Sequence, residues 1–200
     1  MNLKVKRVER ITADVPFHDV PARNMIRELP HWAIFEICKV MLEGGVVGFG
    51  ETMQYYTRGP VSETKVKQVV GRNAAESMWD DSLGAGLQMA LFDAVGRAME
   101  VPCYALLGQK HRDQAFISWW DIDMPASDWA LECQGAMAQG YSSFKTKARP
   151  WFDLNEQCRI LCESLPPHFE LDLDFNGMLL DTAHGTRILT RVQNYPNVAI

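Results

Sequence analysis

Apolar and polar positions change their period twice along the chain. The opening stretch "LKVKRVERITADV" alternates apolar and charged residues and predicts a half-buried strand. Residues 14–31, "DVPFHDVPARNMIRELPH", hold three prolines and no clean period, and predict a loop. "WAIFEICKVMLEGGVVGFGET" predicts a hairpin with its turn at Gly44–Gly45, and "MQYYTRGP", residues 53–60, predicts a second loop. The period then becomes helical. Residues 62–75 carry an apolar stripe, and Leu83, Leu87, Leu91, Ala94, Val95 and Ala98 recur at helical spacing up to the stop at Pro102. Small residues in this second helix (Gly84, Ala85, Gly86, Ala90) allow close packing on a neighbour.

After Gly108, strand and helix patterns alternate. "AFISWWDI", "YSSFKTK" and "FELDLDFN" predict strands; "ASDWALECQGAMAQG", "LNEQCRILCESL" and "DTAHGTRILTRVQNY" predict helices; "NVAI" starts another strand. Such alternation implies a parallel sheet with right-handed crossovers. A closed (β/α)8 barrel takes roughly 250 residues. The residues after Gly108 suffice for three βα units, so the chain reads as the front of a larger protein.

In a parallel sheet, chemistry gathers at the C-terminal ends of strands. Lys145 and Lys147, two apart on a strand, point to one face. On the next strand Glu170, Asp172, Asp174 and Asn176 share a face, opposite Phe169, Leu171, Leu173 and Phe175. Asp174 is a hard oxygen donor suited to Mg²⁺, and an ammonium beside another cation gives up its proton more readily. Lysine with Mg²⁺ is an arrangement that abstracts a proton alpha to a carboxylate. The same residues also suit a solvated strand face followed by an Asx turn. Asp172, one layer below Asp174, is expected to pair with Lys145. Of Trp119 and Trp120, one points inward and one toward the helices, and His184 is expected at the surface of its helix.

Charge and cysteine usage narrow the class. Net charge is −5 with a pI near 5.5, and basic residues are scattered, which argues against a nucleic-acid partner. Five cysteines without a CxxC pair predict free thiols in a reducing, cytoplasmic setting; Cys158 and Cys162, one turn apart, read as thiols rather than metal ligands. The N-terminus lacks a signal-peptide apolar run, and no window reaches the length of a membrane span.

Four stretches carry a likeness to a known family: "GFGET" at 48–52, "ALFDAVGRAMEVPCYALLG" at 90–108, "KTK" at 145–147 and "DFNG" at 174–177. In this order they resemble the mandelate racemase / muconate lactonizing enzyme branch of the enolase superfamily. The resemblance implies an α+β capping domain over residues 1–110, followed from 111 to 200 by the first part of a modified (β/α)8 barrel. It implies Lys147 as an acid/base with Lys145 modulating its charge, Asp174 as the first of three carboxylate ligands to Mg²⁺, and Asn176 shaping the site. The two cap loops would close over a small carboxylate substrate, with His18, Arg23, Tyr55, Tyr56 and Arg58 the side chains best able to touch it. The reaction implied is racemisation, epimerisation, cycloisomerisation or acid-sugar dehydration. The remaining ligands and the opposite-face base are expected beyond Ile200. A homo-oligomer is expected on general grounds. The alternative is a truncated, non-catalytic barrel fragment with an open strand edge that needs a partner.

Overall fold

A computed structural model describes residues 1–56 and 59–199, which fall into two compact units. Met1–Phe17 with Leu29–Asp113 make the first; His18–Glu28 with Gln114–Ile200 make the second.

The first unit is α+β. Strands β1 (Val5–Asp14), β2 (Ile34–Leu42) and β3 (Val47–Met53) form an antiparallel sheet in that order. An irregularity between Val5 and Arg7 shifts the register of β1 against β2. The hairpin turn is where expected, with Gly45 at φ 88°. Among the helices of this unit, α2 (Glu63–Val69) is capped by Ser62, and α3 (Ala74–Ser77) by Asn73. The single helix expected over 62–75 is therefore two, because Gly71 takes a φ of 80° between them. Helix α4 (Ala85–Ala98) buries Leu87, Ala90, Leu91, Ala94 and Val95 against Val5, Val40 and Leu42 of the sheet, and α5 (Cys103–Leu107) follows. A Cβ on Gly48 would lie 2.3 Å from Ala90 O and Ala94 N, and one on Gly50 would lie 2.2 Å from Gly86 O. The "GFG" of β3 and the small face of α4 are thus one contact, and the Phe49 N–H between the two glycines donates to Asp93 Oδ2 of α4 (2.9 Å).

The second unit is α/β. Strands β4 (Trp119–Trp120), β5 (Ser143–Lys147), β6 (Glu170–Asp174) and β7 (Val198–Ala199) form a parallel sheet in chain order. They alternate with α6 (Ala126–Ala138), α7 (Leu154–Ser164) and α8 (Thr182–Val192). Trp129, Phe144, Leu161, Phe169, Leu171 and Leu173 fill the layer between sheet and helices. The strand expected over "AFISWWDI" contracts to two residues that pair only with β5, while Phe116 and Ile117 stand exposed. Alternation qualifies residues for a strand but does not supply a partner. Cys158 is buried and Cys162 half-buried, both as free thiols.

The loop expected over 14–31 is corrected: Asp19–Glu28 form a helix, α1. Pro21 sits in its first turn, where a missing N–H costs nothing, and Pro30 follows its end. α1 is held to α6 chiefly by polar bonds, so no apolar stripe betrays it in the sequence. Arg23 forks onto both carboxylate oxygens of Asp128, and Asn24 Nδ2 donates to Asp128 Oδ2 (2.8 Å). Among the described residues no helix is long and apolar enough to cross a membrane.

Candidate active site

The pleat of β5 and β6 aligns Lys145 opposite Asp172 and Lys147 opposite Asp174. Phe144 and Thr146, and Leu171 and Leu173, are buried toward the helices, which leaves the charged residues on the other face. There the two ammonium groups converge on a single atom. Lys145 Nζ donates to Asp174 Oδ2 at 2.7 Å and Lys147 Nζ to the same oxygen at 2.6 Å. The pairing expected between Lys145 and Asp172 does not form. Asp172 stands level with the base of Lys145, but the long side chain leans along the strand and its tip reaches the next carboxylate. Two lysines on one face are tolerated because Asp174 sits between them.

The turn after β6 completes the cluster. Asn176 adopts φ 46° and Gly177 φ 80°, a left-handed pair that Asn and Gly tolerate best. That turn lets the Asn176 N–H donate to Asp174 Oδ1 (2.9 Å) and aims Asn176 Oδ1 back at the cations. Lys147 Nζ reaches it at 2.7 Å and Arg149 Nη2 at 2.9 Å. The Lys145 and Lys147 ammonium groups, with the Asn176 N–H, hold the Asp174 carboxyl well below the usual carboxylate range. The Lys147 side chain is 12% exposed and that of Lys145 34%, so Lys147 is the more enclosed amine.

Arg149 escaped the sequence reading. The signal was present: it continues the i, i+2 series of Lys145 and Lys147, and its Nη1 also donates to the Asp174 backbone carbonyl (3.3 Å). Three cations thus meet one carboxylate and one amide oxygen, an arrangement poised to accept an anionic group. Trp120 is in register with Lys145, whereas Trp119 points toward the helices and donates from Nε1 to Glu132 Oε2 (2.9 Å).

The other candidates belong to other elements. His18 is exposed just before α1, and Arg23 is committed to Asp128. Tyr55 and Tyr56 belong to the first unit, where each is exposed and rests on a neighbouring ring: Tyr55 on His31 (5.1 Å between centroids) and Tyr56 edge-on to Trp32 (5.0 Å). Arg58 lies outside the described residues.

A magnesium ion asks for about six hard oxygen ligands in near-octahedral array. Asp174 has the right donor chemistry. Its Oδ2, however, already accepts from both lysines, and among the described residues no group of three or more His, Cys, Asp or Glu could hold a metal. These residues alone do not make up a Mg²⁺ site.

No protein-family model matches the chain. Over 118 residues it is 33% identical to a Streptomyces coelicolor protein described as a probable glucarate dehydratase, a match covering 48% of this chain and 27% of that one. Solved structures match over nearly the whole chain. A dipeptide epimerase from Enterococcus faecalis superposes with a TM-score of 0.74 at 18% identity, covering 96% of this chain and 58% of that one. A Bradyrhizobium enolase complexed with magnesium and mandelic acid gives 0.71 at 22%, covering 98% and 60%. A muconate cycloisomerase from Pseudomonas fluorescens gives 0.70 at 16%, covering 98% and 57%. The chain therefore spans a little over half the length of these structures. At such identities the likeness establishes the fold. It is the fold of part of these enolase-superfamily neighbours, an α+β unit followed by an α/β unit built on a parallel sheet.

Proposed function

We propose that this chain belongs to a Mg²⁺-dependent enzyme that removes the proton alpha to a carboxylate in a small substrate. The observation that carries the reading is the convergence of Lys145, Lys147 and Asp174 at the C-terminal ends of adjacent parallel strands, on a fold shared with racemases, epimerases and cycloisomerases. Asp174 would be one metal ligand, the others lying outside these residues. Magnesium, when bound, would stabilise negative charge on the substrate carboxylate.

The chain's own residues supply the proton chemistry. Lys147, as the free amine, takes the α-proton: the C–H bond breaks, N–H forms, and the electron pair passes into the carboxylate as an enediolate. Lys145 and Arg149 keep the surroundings positive as that charge develops. Return of a proton to either face gives racemisation or epimerisation; loss of a β-hydroxyl gives dehydration. His18, Tyr55, Tyr56 and Asn176 are proposed to contact the substrate, and the active protein to be a homo-oligomer.

The test is α-proton exchange in D₂O with Mg²⁺, followed by loss of the α-¹H signal of mandelate, glucarate and a dipeptide. Exchange of one of them is expected, falling at least about 100-fold in Lys147→Ala and depending on Asp174. Exchange undiminished in Lys147→Ala, or none with any of the three, would overturn the proposal; the latter result favours a non-catalytic fragment.

A further inference from the structure

Behind the strand ends, on the side opposite the lysines, lies a cavity of about 560 Å³, a size typical of small-molecule sites. Ala148 and Phe175 line it, and these alternate with Lys147 and Asp174 along their strands, so the cavity opens toward the helices and not onto the lysine face. Its walls are the loop from β5 to α7, the turn after β6, and one face of α8.

The lining is two-sided in chemistry. Phe175, Met178, Ile188 and Val192 make an apolar floor, while Arg149, His184, Arg187 and Arg191 stand around it. The one lining acid, Asp153, is occupied as the cap of α7, its Oδ1 accepting the Asn155 and Glu156 N–H groups. Among the described residues no ion pair holds Arg187 or Arg191. Three guanidinium groups around an apolar floor, with no free counter-charge, leave a site short of an anion. Guanidinium prefers planar carboxylate to a point anion because it can donate two parallel N–H bonds. His184, expected to be an ordinary surface residue, is half-buried in this wall.

We propose that this cavity binds a carboxylate carrying an apolar chain, its head between Arg187 and Arg191 and its tail on Phe175 and Ile188. Arg149 borders both this cavity and the lysine cluster through Asn176, so an occupant that draws Arg149 inward loosens its bond to Asn176 Oδ1. The proposal shares Arg149 with the catalytic reading but does not rest on it, since neither lysine nor Asp174 lines the cavity.

Calorimetric titration of the purified protein with octanoate, octanol and inorganic phosphate tests it. Octanoate is expected to bind one-to-one with a Kd of about 1 mM or tighter, at least about tenfold more tightly than octanol or phosphate. The double variant Arg187→Glu with Arg191→Glu, both residues exposed, should weaken octanoate at least about tenfold. Ile188→Trp, which fills the floor, should do the same without touching charge, and Lys147→Ala should leave binding unchanged. Absence of saturable binding would overturn the proposal, as would equal affinity for octanol or phosphate. So would binding that survives the arginine and tryptophan changes but is lost with Lys147.

Discussion

Gly48→Ala asks for one methyl group where β3 presses on α4. Its Cβ would sit 2.3 Å from Ala90 O and Ala94 N and 2.7 Å from Ala94 Cα, all of them backbone atoms that no rotamer change can move. Ordinary contacts lie near 3.5 Å, so strand and helix must part by roughly 1 Å. Around them Val40, Leu87, Ala90, Leu91 and Ala94 are completely buried, and the separation loosens their packing. Overpacking of this kind costs about 1–3 kcal/mol. Alanine recovers about 0.4–1 kcal/mol by restricting the unfolded chain. The net expectation is a loss of about 1.3 kcal/mol, or roughly 5–10 °C in the melting temperature of this unit. Gly135→Ala provides the contrast: it lies within α6 with nothing inside 4 Å of a new Cβ, and should gain about 0.5–1 kcal/mol. Urea unfolding of both variants, followed by far-UV circular dichroism, measures the two signs. A Gly48→Ala loss below about 0.5 kcal/mol, or a fall of equal size in Gly135→Ala, would refute the close-approach reasoning.

Two further expectations concern buried acids of the second unit. Asp128 is held below the usual carboxylate range by the Arg23 guanidinium, so its grip on α1 is complete above about pH 4 and lost as pH falls through its lowered value. Asp128→Asn should therefore speed hydrogen exchange of the 19–28 amides at least about fivefold at pH 7, and unchanged exchange would show that α1 does not depend on this pair. Burial pushes the Asp121 carboxyl up to about 8, with Glu132 and Asp128 nearby. The folded protein thus retains a proton that the unfolded chain loses near pH 4, and stability falls between about pH 4 and 8 by up to about 1.4 kcal/mol per pH unit. Asp121→Asn should remove that slope; an equal slope in variant and parent in urea titrations would count against it.

Local geometry made much of this protein legible from its residues alone. Alternation placed Lys145 with Lys147, and Asp172 with Asp174, on common faces because the pleat repeats every two residues whatever lies beside it. Helical period and the stop at Pro102 located α4, and the alternation of strand and helix patterns located α6, α7 and α8, for the same short-range reason. Choice of partner was a matter for the tertiary structure. Lys145 reaches Asp174 instead of Asp172 because register and side-chain length act together across two strands. α1 is a helix because a polar docking site on α6 awaits Arg23 and Asn24, more than 100 residues further along the chain. β4 is short because only two of its residues find hydrogen-bonding neighbours in β5. Arg149 joins the site, and Arg187 and Arg191 border a cavity, only once loops and helices from separate βα units are folded side by side. A period belongs to one segment and is written there; a contact belongs to two and depends on the path of the chain between them.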